Sequence, residues 1–283
     1  MGSIAIMTDT NSGILPKEAT ENGIIMLQMP FTVDGEEFLE YGSMAYSEFF
    51  ERLTAGAQVS TSQPSPAALC EAWEKHLKIY DEIIYFPMSS GLSGTYQTAK
   101  MLADDYDGKV YVVDNKRISV TLRASVFEAL KQVESGMSAK EIVQKAEENA
   151  INSSIYIAVN TLEYLKKGGR ITPAGAAIGS LLGIKPVLQI QGDKLDAYKK
   201  VRGMAAAIET MLDGVETDLN SRFAGEKVEI RAAYSGFLST GEKWREKVAA
   251  RFPDYEIELD ALPVSISCHV GPDAFGIGIT VIN

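Results

Sequence analysis

The sequence predicts an α/β protein in two parts: an N-terminal α/β domain built on a parallel sheet, and a C-terminal α+β domain with a largely antiparallel sheet. In the first half, strand and helix patterns alternate, as is typical of parallel sheets with crossover helices. After about residue 155 the spacing of the strand patterns changes. We therefore predict domains at residues 1–155 and 156–283, with a ligand cleft between them.

The first half contains four predicted strands and five predicted helices, of which only the start is defined for the last. The strands are expected at residues 3–8, 24–32, 82–87 and 109–113, and the helices at 46–54, 66–78, 95–106 and 119–135. Ser65 precedes a proline at the first helical position, and Ser138 with Glu141 forms a capping box that opens a further helix. These signals define where two of the helices begin.

The second half is predicted to be richer in strands. They are expected at residues 155–160, 185–191, 194–200, 227–234, 255–260, 264–269 and 275–282, with helices at 204–220 and 241–251. The tripeptide Gln191-Gly192-Asp193 predicts a tight hairpin turn between two of these strands.

Composition excludes some classes of protein. A formal net charge of −11 argues against a general nucleic-acid binder, because phosphate backbones require basic surface. The two cysteines, Cys70 and Cys268, lie too far apart in sequence to form a metal or redox motif, which favours reduced core residues of a cytoplasmic protein. Residues 174–184 are too few and too glycine-rich to span a bilayer, so we expect no stable membrane insertion.

The strongest candidate for a binding site is the loop at residues 89–95, of sequence SSGLSGT. It follows an apolar strand and opens a helix, so that backbone N–H groups and hydroxyls converge where an anion is favoured. The loop lacks the Gly-Lys-Ser/Thr of a phosphate-binding P-loop and the full G-x-G-x-x-G pattern. A carboxylate is therefore the expected ligand.

Other polar segments have both a functional and a structural interpretation. Residues 8–13 end the first strand and either hold ligand residues or form a plain turn. Asp114, at the end of another strand, either orients a hydroxyl or forms an Asx turn. Two basic clusters, at 166–170 and 199–203, either recognise an anion or an acidic partner, or are solvated ends of elements. His269, expected at the end of a strand, is a further candidate.

Taken together, these segments resemble the DegV family, bacterial fatty-acid-binding proteins of the FakB type, over residues 3–282. The segments occur in the family's order and spacing: Thr8-Asp9-Thr10, Ser60-Thr61-Ser62-Gln63-Pro64, residues 89–95, Val113-Asp114, residues 165–171, residues 183–186, Arg202-Gly203 and residues 269–272. The resemblance implies an acyl chain buried between the two domains. It also implies that the protein presents this fatty acid to a separate fatty acid kinase and carries the acyl phosphate to phospholipid synthesis.

The resemblance also assigns roles to particular residues. It implies that Thr61 and Ser93 bind the carboxylate of a fatty acid such as palmitate or oleate, with His269 in the same hydrogen-bond network. Ser62 and Gly94 flank these residues. Matching arginines at the rim, where head-group and kinase contacts are expected, are Arg170 and Arg202. No catalytic residue, metal or further cofactor is implied.

The sequence departs from the family pattern at Gly13, Asn115 and Asp273, which flank the site and bear on ligand preference. The preferred chain length and unsaturation depend on the shape of the pocket. Which apolar side chains line it is left open by the sequence, as for Ile178, Leu181, Leu188 and Phe275.

Two alternative functions remain open. An acyl hydrolase would use Ser93 as nucleophile and His269 as base, with Asp9 or Asp114 orienting the imidazole, although the loop is not a G-x-S-x-G elbow. A phosphate- or nucleotide-binding regulator would use the same helix-opening loop.

Overall fold

A computed structural model describes residues 2–42, 44–176 and 183–282. Within them the strands are β1 (Ile4–Asp9), β2 (Ile25–Leu27), β3 (Pro30–Val33), β4 (Glu36–Leu39), β5 (Val59–Thr61), β6 (Glu82–Phe86), β7 (Val110–Val112), β8 (Ser153–Ala158), β9 (Ile184–Ile190), β10 (Asp196–Arg202), β11 (Val228–Tyr234), β12 (Glu258–Ala261) and β13 (Phe275–Val281). The helices are α1 (Pro16–Glu21), α2 (Tyr46–Thr54), α3 (Pro66–His76), α4 (Thr95–Ala103), α5 (Ser119–Glu134), α6 (Ala139–Glu148), α7 (Glu163–Gly168), α8 (Pro173–Ala176), α9 (Met204–Asn220), α10 (Leu238–Arg251) and α11 (Val264–Val270).

The two predicted types of sheet are confirmed. The first half forms a parallel sheet in the order β2-β1-β6-β7. The second half forms a six-stranded sheet in the order β10-β9-β8-β13-β11-β12, in which the β11–β12 pair alone is parallel. The second sheet begins with β8 at Ser153, and the domain division at residue 155 stays a prediction.

Apolar residues cover both faces of the parallel sheet. Trp73 and Leu69 of α3 pack on one face, and Leu122 and Val126 of α5 pack on the other. Burial on both faces explains why β1 and β6 read as continuous apolar runs rather than as alternating strands.

A third sheet, in the order β4-β3-β5, was not predicted. The single strand expected at 24–32 is in fact two strands, because the chain leaves the parallel sheet after Leu27 and enters the small sheet at Pro30. Thr61, which none of the predicted strands includes, lies on β5, paired with Phe31 of β3. The small sheet therefore places one of the predicted site residues.

The strand expected at 264–269 is wrong: this segment is the helix α11. Its sequence, VSISCHV, alternates apolar and polar residues as a strand would. Helical spacing instead sends Val264 and Cys268 into the core beneath the small sheet, and Val270 into the core on the six-stranded sheet. Contacts on two sides override the local pattern, and His269 lies in the last turn of a helix rather than at the end of a strand.

Smaller differences concern boundaries. The helix expected at 95–106 ends at Ala103 and continues as a 3-10 turn, and α10 begins three residues before its predicted start. The hairpin between β9 and β10 has a five-residue loop, 191–195, instead of a tight turn. No helix within the described part of the chain is long and apolar enough to cross a membrane.

A buried carboxylate attaches α11 to the N-terminal half. Glu40, which is 2% exposed, accepts hydrogen bonds from the backbone N–H groups of Val264 (2.6 Å) and Ser265 (3.0 Å). These N–H groups lie in the first turn of α11, where the helix itself supplies no acceptor. Burial raises the pKa of Glu40, while the two N–H groups oppose that shift. The pair of hydrogen bonds thereby connects the segment after β4 to a helix more than two hundred residues later.

We expect Glu40→Ala to lower the free energy of unfolding by about 2 kcal/mol, because two buried N–H groups lose their acceptor. Urea unfolding followed by circular dichroism measures the change. Glu37→Ala, at an exposed position of β4, is the matched control and is expected to stay within about 0.5 kcal/mol of the wild type. Equal losses in the two variants would contradict a capping role for Glu40.

Candidate functional site

A pocket of about 910 Å3, its open mouth included, lies between the two halves of the chain. Most of its lining is aliphatic, including Leu92, Ile118, Val120, Ile155, Ile157, Leu165, Ile190, Leu195, Leu262, Ile266 and Val270. The pocket has polar lining residues as well, which are Asn11, Thr61, Ser62, Gln63, Ser93, Ser119, Arg170, Ser265 and His269. A mainly apolar pocket with a limited polar set suits an amphiphile.

Two of the wall candidates named from the sequence lie on opposite faces of the six-stranded sheet. Leu188 belongs to the core on the pocket side, and Phe275 belongs to the core against α9 and α10. Ile178 and Leu181 lie outside the described residues.

Thr61 and His269 meet at the polar part of the pocket. The Thr61 Oγ1 atom lies 2.8 Å from His269 Nε2, so β5 and α11 join there through one hydrogen bond. His269 Nδ1 is buried without a hydrogen-bond partner, and it packs against Gly168, where a Cβ atom would overlap it. Glycine at position 168 therefore gives the imidazole the space to reach Thr61.

The surroundings of His269 favour its neutral form. Burial lowers its pKa from 6.5 to about 4, and the positive charge of Arg170 adds to the shift. We assign the proton to Nε2, because a bare ring nitrogen costs less without a partner than an N–H group does. Nε2–H then donates to Thr61 Oγ1, which leaves the Thr61 hydroxyl proton for a ligand in the pocket.

Ser93 is a second hydroxyl in the pocket. Its Oγ accepts from the backbone N–H of Thr95 (3.2 Å) and shares a hydrogen bond with Thr95 Oγ1 (2.8 Å). When Thr95 donates in both contacts, the Ser93 proton is left for a ligand. The N–H of Thr95, one of the backbone N–H groups of the loop at 89–95, therefore bonds to Ser93.

The loop at residues 89–95 is held by contacts with two other segments of the chain. Asp114 accepts from the hydroxyl of Ser90 (2.6 Å), which gives this aspartate a structural role. The hydroxyl of Ser89 donates to the carbonyl of Asp193 in the β9–β10 loop (2.7 Å). Gly91 packs so closely on Asp193 that a Cβ would overlap its carbonyl. These contacts fix the segment that carries Ser93.

Arg170 links the loop to the α7 segment. Its Nε donates to the carbonyl of Leu92 (3.2 Å) and its Nη1 to the carbonyl of Gly168 (2.6 Å). Since Arg170 lines the pocket and acts electrostatically on His269, its positive charge is available to an anion held near the imidazole.

A second cavity, which we call the polar groove, meets the pocket at this point. It encloses about 990 Å3, open space included, between the α2–β5 region and the α7–α11 region. The two cavities share three lining residues, Thr61, Arg170 and His269. Lys167, which donates to Gln58 Oε1, adds a second cation to the groove. A ligand head at the Thr61–His269 pair would therefore lie next to a groove that contains two cations.

The remaining predicted site residues, Ser62, Gly94 and Arg202, lie at different distances from the pocket. Ser62 lines the pocket at an exposed position, whereas Gly94 packs against Gln63, where a Cβ would lie 2.8 Å from the amide oxygen. Arg202 is exposed at the end of β10 and pairs with Ile184, six residues along β9 from the pocket residue Ile190. At about 3.3 Å per strand residue, this places the backbone of Arg202 about 20 Å along the hairpin from Ile190.

Sequence reasoning did not single out Asn11 and Ser265, which line the pocket and bond to each other (3.0 Å). Asp9 holds Asn11 by accepting from both its backbone and side-chain N–H groups, and burial raises the pKa of Asp9 to about 6. In the sequence, the polar segment at residues 8–13 was the signal that could have pointed to Asn11. Its role is to orient Asn11 toward α11.

The geometry lacks the hydrogen bonds of a serine hydrolase. His269 bonds to Thr61 rather than to Ser93, and its Nδ1 contacts no carboxylate. Asp9 bonds to Asn11 and Met88, and Asp114 bonds to Ser90. Across the described ranges, no group of three or more His, Cys, Asp or Glu residues is arranged to hold a metal ion.

We expect the neutral state of His269 to make ligand-free protein less stable in acid. The unfolded chain binds a proton near pH 6.5 that the folded imidazole resists until about pH 4, so this stability is present above pH 6.5 and is lost as the pH falls. Between pH 7 and pH 5 the wild type should lose about 1–2 kcal/mol more than His269→Asn. Urea unfolding at both pH values measures this, and equal slopes would contradict burial of a neutral imidazole.

Comparison with known proteins identifies the family of this chain. Residues 3–281 match a family model described as "Uncharacterised protein, DegV family". A DegV domain-containing protein of Deinococcus radiodurans is 32% identical, with 99% of each chain covered. A DegV family protein from Thermus thermophilus, whose structure is described for fatty acid binding, has a TM-score of 0.90 at 28% identity, covering 99% of this chain and 100% of its own. A fatty acid binding DegV family protein of Streptococcus agalactiae has a TM-score of 0.89 at 26% identity, with both chains fully covered. The chain belongs to the DegV family.

Proposed function

We propose that this protein binds a long-chain fatty acid, with its carboxylate at Thr61 and Ser93 and its acyl chain in the apolar pocket. The observation that carries the proposal is the pairing of a mainly aliphatic pocket with two lining hydroxyl groups, those of Thr61 and Ser93. The solved relatives described as fatty-acid-binding proteins support the same ligand class.

The energetics agree with such a ligand. Burying about fourteen methylenes at roughly 0.8 kcal/mol each contributes on the order of 11 kcal/mol before ordering costs. Sub-micromolar binding requires about 8 kcal/mol, so the acyl chain supplies most of the affinity. The carboxylate must still be hydrogen-bonded, because an unpaired buried charge is very costly. Thr61, Ser93 and the charge of Arg170 meet that requirement.

We further propose that the protein is a carrier rather than an enzyme. It presents the bound carboxylate to a separate fatty acid kinase and then carries the acyl phosphate to phospholipid synthesis. The polar groove supports this role, because it borders the Thr61–His269 pair and would expose a ligand head held there. The absence of a Ser93–His269 hydrogen bond argues against the hydrolase alternative.

The decisive experiment is mass spectrometry of freshly purified protein, comparing the native mass with the organic extract of the denatured sample. We expect a stoichiometric fatty acid and a matching mass increment on the intact protein. Protein that carries no fatty acid and takes up neither added palmitate nor added oleate would overturn the proposal.

We expect Ser93→Ala and Thr61→Val to weaken fatty-acid binding by roughly 1–3 kcal/mol each, because each removes a hydroxyl donor to the carboxylate. Displacement of a fluorescent fatty acid measures the affinity. Thr32→Val is the matched control for Thr61, since Thr32 lies on the same small sheet and bonds to Ser60. Affinity that is unchanged in both site variants would remove Thr61 and Ser93 from the carboxylate site.

We expect Arg202→Glu to reduce phosphoryl transfer by the kinase at least tenfold, because the exposed basic cluster at 199–203 would no longer attract an acidic surface of the kinase. The fatty acid should stay bound, because Arg202 does not line the pocket. Arg245→Glu, an equal charge change at an exposed position of α10, is the control. Loss of the fatty acid from Arg202→Glu would instead assign Arg202 to ligand binding.

A further inference from the structure

Strand β13 contains two glycines that face the pocket side of the six-stranded sheet. Phe275, Ile277 and Ile279 alternate with them and pack into the core against α9 and α10. Because successive strand residues point to opposite faces, Gly276 and Gly278 share the other face. Glycine in the interior of a strand weakens it, and it often marks a site where something approaches the backbone closely.

Packing accounts for Gly278. A Cβ at this position would overlap Cγ2 of Val120 and would lie 3.3 Å from Cγ2 of Thr121, both in α5. The missing side chain therefore lets the first turn of α5 lie directly on β13.

Packing does not account for Gly276. A Cβ there would make only ordinary contacts, 3.6 Å from the Ala233 Cβ and 3.9 Å from the Tyr156 carbonyl oxygen. The φ angle of Gly276 is not in the left-handed region, so its backbone suits any residue. Its carbonyl accepts from Trp244 Nε1 at 2.8 Å, a bond that a side chain at 276 would leave in place. The space above Gly276 belongs to the pocket, which this residue lines.

The floor of the pocket is consequently uneven. Ile157, Gly276 and Ala233 are paired residues on the adjacent strands β8, β13 and β11, and all three line the pocket. The floor falls from a large side chain at Ile157 to a trough formed by Gly276 and Ala233. A straight saturated chain needs a uniform channel, whereas a cis double bond displaces the following methylenes sideways and needs local width.

We propose that Gly276 is a specificity-determining residue whose trough admits a bent, cis-unsaturated acyl chain. The inference rests on the proposed fatty-acid binding and adds to it the shape of the chain that is selected. A side chain at position 276 fills the trough from below, which disfavours the bent chain more than the straight one.

The test is competitive loading with equimolar oleate and stearate, which have the same number of carbons and differ by one cis double bond. Native mass spectrometry gives the bound ratio. We expect Gly276→Ala to lower the oleate-to-stearate ratio by about threefold to fivefold, which corresponds to about one methylene of lost burial. Gly276→Val should lower it at least tenfold, and Ala233→Gly, which widens the same trough, should raise it. Stearate affinity should change by less than about twofold in Gly276→Ala.

Ile279→Val, on the opposite face of the same strand, is the control and should keep the wild-type ratio. If Gly276→Val does not fold, Gly276→Ala and Ala233→Gly still decide the question. The new Cβ in Gly276→Ala would lie 3.6 Å from its nearest neighbour, and Ala233→Gly adds no atom. Oleate-to-stearate ratios within twofold of the wild type in these folded variants would overturn the proposed role of the trough. A wild type that binds neither acid would overturn the proposed function itself, which separates the two failures.

Discussion

The site depends on the hydrogen bonds between the Glu40 carboxylate and the first turn of α11. They join the small sheet of the N-terminal half to α11, a helix near the end of the chain. This helix is only seven residues long. A helix of this length has little stability of its own, so tertiary contacts must hold it. Val264 and Cys268 pack beneath the small sheet, and Val270 packs on the six-stranded sheet. Once α11 is placed in this way, His269 reaches Thr61.

The polar part of the pocket contains two pairs of neutral hydrogen-bonding side chains. Burial keeps His269 neutral, and it bonds to Thr61, while Thr95 bonds to Ser93. When His269 and Thr95 donate in these contacts, the hydroxyl protons of Thr61 and Ser93 are left for a ligand. Arg170 supplies positive charge nearby while its guanidinium holds the carbonyl of Leu92. In a chain with a net charge of −11, this local arrangement of donors is what makes the pocket suited to an anion.

Gly168 and Gly276 show how absent side chains shape the same site. A Cβ at Gly168 would overlap the imidazole of His269, so this glycine sets the position of a polar group. A Cβ at Gly276 would meet no such obstacle, and there the space is left to the pocket. The two cases are indistinguishable in the sequence, because what separates them is the identity of the neighbour in space.

From the amino-acid sequence alone one could predict the α/β and α+β halves, most element positions, and the segments that carry Thr61, Ser93, Arg170 and His269. Hydrophobic periodicity, caps and glycine-serine loops are local signals, and they remain valid wherever the element lies in the fold. Contacts in the folded protein were needed to show that 264–270 is a helix, that Thr61 lies on a strand of a third sheet, and that Asn11 and Ser265 line the pocket. The helix at 264–270 and the Asn11–Ser265 contact involve residues more than two hundred positions apart, such as Glu40 with Val264, whereas Thr61 lies on a strand because it pairs with Phe31, thirty positions earlier. No local pattern encodes such pairs.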